Sequence, residues 1–151
     1  MHPAFAETTT GSVRFYWNVS GIVGLNGVNK FDDVLFVQWC FFKMAKWPAA
    51  REIWPGLSRV NINGSCTGRA DDPLVETIKL AEAQFGGNMD GRVTPISNSA
   101  KFTISGIKYP YLIMVMNIAL SQMHPQQYPR LDLMPEFVWR IKDQVVFPFL
   151  F

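Results

Sequence analysis

The spacing of apolar and polar residues changes several times along the chain, and each change marks an element. In Ser12–Gly21, Val13, Phe15 and Trp17 alternate with Arg14, Tyr16 and Asn18, the period-two rhythm of a strand. The preceding Met1–Thr10 is small and polar and is expected to fray. "GIVGLNGVNK" follows as a glycine-rich connector, in which Asn26-Gly27 suits a turn of positive φ. From Phe31 to Trp47 the rhythm becomes helical, with apolar residues at nearly every position from Val34 to Phe42. Such a helix should be covered on most sides. Asp32 or Asp33 is expected to cap its start, and Pro48 limits its continuation. Gln38 is the polar exception on this helix, and a buried amide must find partners, most simply in nearby loop backbone.

Further along, Pro48–Arg59 reads as a short helical turn broken at Pro55-Gly56. In "DDPLVETIKLAEAQF", Asp71 or Asp72 can cap, and Pro73 suits the first helical position. Leu74, Ile78, Ala81 and Phe85 share one face, with Glu76, Lys79 and Glu82 placed away from it. Gly86-Gly87 then stops the helix. "NSAKFTISGI" predicts a loop and a brief strand, with Phe102 and Ile104 pointing alike. Pro110–His124 predicts a third apolar helix, and Pro135–Val145 a shorter one packed through Phe137, Val138 and Ile141. The closing "VVFPFLF" is expected to be extended and to add an edge to the Ser12 strand, where Pro148 is tolerated. The expected architecture is one mainly α domain over residues 1–151, with three to four helices and a small terminal β-ribbon.

Composition narrows the chemistry. The chain has 151 residues, 48% of them hydrophobic, enough for one core, and 14 Lys plus Arg against 12 Asp plus Glu. That balance, with the basic residues scattered, gives no electrostatic stripe for nucleic acid. No apolar run is long enough to span a bilayer, and the start shows no basic region followed by an apolar one. The cytosol is therefore the expected compartment, with signal-peptide-independent export left open. Cys40 and Cys66 are too few for a disulfide scaffold or metal cluster, and their pairing is not legible. His2 and His124 form no metal-binding pair. A contact between His124 and Asp132 is conceivable, but it is no stronger than any His near a carboxylate. "GSCTGR" lacks the Lys and Thr of a phosphate loop, and "DGRVTP" lacks the acidic series of a calcium loop. Caps explain Asp32-Asp33 and Asp71-Asp72 more economically than acid–base work does. No enzyme and no cofactor are expected.

Two turns frame the second helix: Asn63-Gly64 followed by Gly68, and Asp90-Gly91. Together with Val34, Val37 and Gln38 on the first helix, Ile78 and Phe85 on the second, and Val93, they resemble the peptidoglycan-binding-like domains, small helical modules of bacterial wall-associated proteins. Asn63-Gly64 stands for the family's first Asp-Gly turn and Asp90-Gly91 for its second. The likeness spans 21–120 and leaves 121–151 as an extension. Its lead-in, Gly24 to Asp33, looks like the variant of secretion-associated or effector proteins. The resemblance implies a noncatalytic fold with Asp33, Gln38, Gly64, Gly68, Phe85, Asp90 and Gly91 as structural residues. It further implies a role in holding another protein, such as a secretion component or toxin, or alternatively in binding peptidoglycan.

The residues themselves offer surface candidates. Trp47, Arg51 and Trp54 cluster in the Pro48–Arg59 region, and Tyr109, Tyr111 and Tyr128 flank the third helix. Aromatic rings beside polar groups stack on sugars or anchor proteins. Asn61, Asn63, Arg69 and Arg92 supply the nearest polar contacts, and the arginines suit the carboxylates of a stem peptide.

Overall fold

The computed structural model describes residues 1–8, 13–86, 89–97, 101–102 and 111–142. It shows a mainly helical protein with small β elements. The Ser12 strand is present as β2 (Val13–Asn18), but its partner is β1 (His2–Thr8), antiparallel with His2 opposite Asn18 and Glu7 opposite Val13. The expectation that Met1–Thr10 frays is thus corrected for His2–Thr8; residues 9 and 10 lie outside the described residues. Little in "HPAFAET" itself favours a strand. Pairing with β2 supplies the backbone partners, and the Met1 ammonium group lies against Asp32 and Asp33. Next come β3 (Val23–Gly24), α1 (Phe31–Met44), a 3-10 turn at Pro48–Ile53, α2 (Trp54–Leu57) and α3 (Pro73–Phe85). After them, β4 (Arg92–Val93) pairs antiparallel with β3, and β5 (Lys101–Phe102) pairs parallel with Glu7 and Thr8. The last long helix is α4 (Leu112–Met123).

The core lies where α1, α3 and α4 meet the inner side of β2. Val34–Phe41 is buried throughout, as its nearly unbroken apolar run requires. Lys30, not an aspartate, occupies the N-cap position of α1 and makes no side-chain cap bond. Asp33 sits in the first turn instead and is fully buried. Its carboxylate accepts the Ser20 and Gly21 amides, each at 3.0 Å, and so fastens the β2–β3 connection to α1. On α3 the cap is Asp72, which accepts Leu74 N–H at 2.8 Å. Burial alone would raise the Asp72 carboxyl, but its bonds to Thr67 and Leu74 together hold it below the ordinary range.

Beyond α4, the expected helix Pro135–Val145 is reduced in the described residues to a 3-10 turn at Trp139–Ile141. Glu136 adopts φ +64°, which no α-helix accommodates. The segment instead laps α1. Trp39 Nε1 donates to Glu136 O at 2.9 Å, and Phe137 sets its ring edge-on to Trp39 at 5.0 Å. The proposed closing edge strand and Ile104 lie outside the described residues.

A polar seam joins β2 to α4. Asn117, buried amid "LIMVMNIALSQM", accepts Trp17 N–H at 2.7 Å and donates to Trp17 O at 2.9 Å. It therefore serves the strand as a neighbouring backbone would. Asn18 does the same for Ile96, donating to its carbonyl at 2.9 Å and accepting its amide at 3.2 Å. Neither asparagine figured among the sequence candidates.

Candidate functional site

The two glycine corners share one construction. At the first, Asn63 Oδ1 accepts Ser65 N–H at 2.9 Å, and Gly64 N–H donates to Gln38 Oε1 at 2.8 Å. At the second, Asp90 Oδ1 accepts Arg92 N–H at 3.0 Å, and Gly91 N–H donates to Glu82 Oε1 at 2.8 Å. Both glycines adopt φ +73°, a region costly for residues with a Cβ. Each Asx-Gly corner thus hangs from a polar side chain on a helix: Gln38 of α1 or Glu82 of α3.

Gln38 spends its whole amide here. Its oxygen also accepts Asn63 N–H at 2.9 Å, and its nitrogen donates to Asn63 Oδ1 and Ser65 O at 3.0 and 3.2 Å. Glu82, expected away from the buried face, is in fact buried, because the second corner folds back over it. Burial raises its carboxyl above the usual value, with the Gly91 amide opposing. The corners meet at the loop after β3: Asn26 N–H donates to Gly68 O at 2.8 Å, and Leu25 N–H to Gly91 O at 2.9 Å. Asn29, also absent from the sequence candidates, holds that loop through Gly24 N–H and O at 2.7 and 3.0 Å.

The sequence candidates for binding divide into inner and outer groups. Trp47 is buried, stacks on Phe85 at 5.4 Å and donates Nε1 to Gln122 at 3.1 Å, so it is a core contact rather than a surface ring. Tyr128 turns its hydroxyl inward to Asn117 Oδ1 at 2.7 Å. Arg92 is half-buried with Nε on Leu25 O at 2.8 Å, and Arg69 is exposed with Asp71 at 3.5 Å. Tyr111 is half-buried at the start of α4, and Tyr109 lies outside the described residues.

The outer group comprises Arg51, Trp54, Asn61, Asn63 and Arg69, all exposed. Trp54 Nε1 donates to Trp47 O at 3.1 Å, which fixes the ring while leaving it 37% exposed. Leu80 of α3, 45% exposed, lies against the same turn: a Cβ built on Gly56 would stand 2.6 Å from Leu80 Cδ1. Near the start of α3, Arg59, Asn61, Asn63 and Pro73 help line a recess of about 150 Å³ floored by Gln38 and Asp72. Arg59 and Leu80 were not among the sequence candidates. An apolar residue on the outer side of an amphipathic helix was the available signal for Leu80; Arg59 had none.

The candidates for chemistry disperse. Asp132 is held by Arg130 through bonds of 2.8 and 2.6 Å, and His2 faces Ser20 Oγ at 3.2 Å. Cys40 and Cys66 are free thiols, both pushed up by burial. No helix among the described residues is long and apolar enough to cross a membrane. Comparison with protein-family models, curated proteins and solved structures gave no match.

Proposed function

We propose that this chain is a noncatalytic protein-interaction module that presents the Trp54–Leu80 face to a partner protein, in a setting such as a bacterial secretion or effector assembly. One observation carries the reading. Gln38, Glu82, Asn63 Oδ1 and Asp90 Oδ1 accept backbone amides at the two corners, whereas Trp54 and, against the same short α2 turn, Leu80 stay exposed. A tryptophan whose ring is already ordered loses little entropy on binding, the property of interface anchors. Arg51, one turn before Trp54 in the chain, and Arg59 and Asn61, which help line the recess near the start of α3, are exposed and supply polar contacts.

The test is site-specific photocrosslinking in the host cell from Arg51, Leu80 and, as a control, Leu133. A discrete adduct from the first two, lost in a Trp54→Ala chain, is expected. Equal adducts from all three positions would refute the assignment. Retention of the chain on purified cell walls, abolished by Arg69→Ala and Arg92→Ala, would replace it with peptidoglycan binding.

A further inference from the structure

Between β2, α4 and the turn at 125–129 lies a cleft of about 270 Å³, lined by Phe15, Met114, Asn117, Ile118, Ser121 and Tyr128, with Pro129 at its side. It shares no residue with the Trp54 face. Its walls are chiefly apolar, and Phe15 belongs to an edge-to-face array with Phe5 and Trp17 at 5.5 and 5.4 Å. Among the described residues, no charged one lines it. An ion resting against these residues would lose hydration without gaining a counter-charge from them, so this lining favours neutral ligands.

Its polar atoms narrow the choice. Asn117 is saturated: its oxygen accepts from Trp17 and Tyr128, and its nitrogen donates to Trp17 O and Ile113 O. The Tyr128 proton goes to Asn117 at 2.7 Å, and the Ser121 proton to Ile118 O at 2.8 Å. Both lining hydroxyls have therefore spent their hydrogens within the protein. What their oxygens can still do is accept.

We propose that this cleft binds a small, uncharged aromatic molecule carrying one O–H or N–H donor. The ring rests among Phe15, Met114 and Ile118, and the donor meets the oxygen of Tyr128 or Ser121. The volume, at the low end for ligand sites, suits a single ring rather than a drug-sized molecule.

The experiment titrates the full chain with p-cresol, toluene and benzoate, reading the methyl resonances of Met114 and Ile118 by NMR. Ser121→Ala and Tyr128→Phe are made singly and together. Saturable shifts are expected with p-cresol at millimolar concentration, roughly fivefold tighter than with toluene, as one net hydrogen bond gives. Benzoate should leave the resonances in place. In the double variant the advantage of p-cresol should vanish while toluene binding persists. Ser121→Ala alone, at a half-buried position, gives a folded reference that loses part of the advantage if its oxygen is used. Absence of saturable shifts, benzoate binding equal to p-cresol, parity of toluene and p-cresol in the parent, or an advantage surviving the double variant would each overturn the proposal.

Discussion

Replacing Gln38 with leucine preserves much of the volume on the buried face of α1 and removes every bond that suspends the first corner. The parent side chain accepts from Asn63 and Gly64 and donates to Asn63 Oδ1 and Ser65 O. In the variant the Gly64 amide stays buried without a partner, at a cost of about 1–3 kcal/mol. Asn63 and Ser65 are exposed, so their released groups are rehydrated, and each lost bond contributes only about 0.5–1 kcal/mol. Extra apolar burial by leucine returns part of this, leaving a net loss of about 2–3 kcal/mol. For a chain of this length that is a fall in Tm of roughly 4–12 °C, measured by circular dichroism.

Gln38→Glu provides the internal control. One carboxylate oxygen can still accept the Asn63 and Gly64 amides, but the other faces Asn63 Oδ1 and Ser65 O without a proton to offer. The substituted carboxyl must therefore titrate higher in the folded chain than in the unfolded one. Its stability is fully present below the unfolded glutamate pKa of about 4.3 and is lost as pH rises through the folded value. The deficit against the parent should be small at about pH 4 and large at neutral pH. A leucine variant melting within about 2 °C of the parent, or a glutamate deficit that ignores pH, would refute the role given to this amide.

Other consequences of the frame can be measured directly. Gly24→Ala places a Cβ 2.1 Å from Gly91 O at φ +116°, so it should cost more than about 3 kcal/mol in urea unfolding or prevent folding. Gly21→Ala, with Val28 Cβ at an ordinary 3.4 Å, should remain within about 1 kcal/mol of the parent. Glu82, raised by burial, contributes stability that is full below its unfolded pKa near 4.5 and lost as pH rises through its folded value. Stability plotted against pH by urea unfolding should therefore fall less steeply above that point in Glu82→Gln than in the parent; matching slopes would count against it. Asn117→Leu removes the bonds that Asn117 makes to Trp17, Ile113 and Tyr128 and should lower stability by about 2–5 kcal/mol, whereas Tyr128→Phe should cost about 1 kcal/mol, both read from denaturation midpoints.

Where apolar periodicity was long, the sequence was legible. Strand β2 and helices α1, α3 and α4 stand close to their expected limits, and the Asp72 cap and Pro73 start are where local chemistry puts them. Legibility ended where tertiary partners decide. "HPAFAET" becomes a strand through its pairing with β2, and the Pro135–Val145 helix gives way because Glu136 and Phe137 bind the outer side of α1. Glu82 was misplaced since a carboxylate is ordinarily an outward residue, and nothing local reveals that the Gly91 amide arrives from above. Gln38 and Asn117 make a pair: each is a buried amide within an apolar helix, and each ties its helix to foreign backbone. The reasoning that singled out the glutamine applied equally to the asparagine.

The equivalence of the two corners bears on where function can reside. Both use an Asx oxygen for the amide two residues on, a glycine at the same φ, and a helix-borne oxygen for the glycine amide. Asn63, Asp90, Gln38 and Glu82 cannot turn to a ligand without surrendering one of these bonds, which makes the loop polarity an instrument of folding. Arg51, Arg59 and Asn61 stand outside that circuit and are exposed, the last two at the recess, so a partner can engage them without loosening a corner. A frame that holds its turns internally can accept changes at the proposed contacts outside them while the fold persists. Substitutions at Arg51 and Arg59, both exposed, should accordingly alter binding with little effect on Tm, and those at Gln38 and Gly24 should do the reverse.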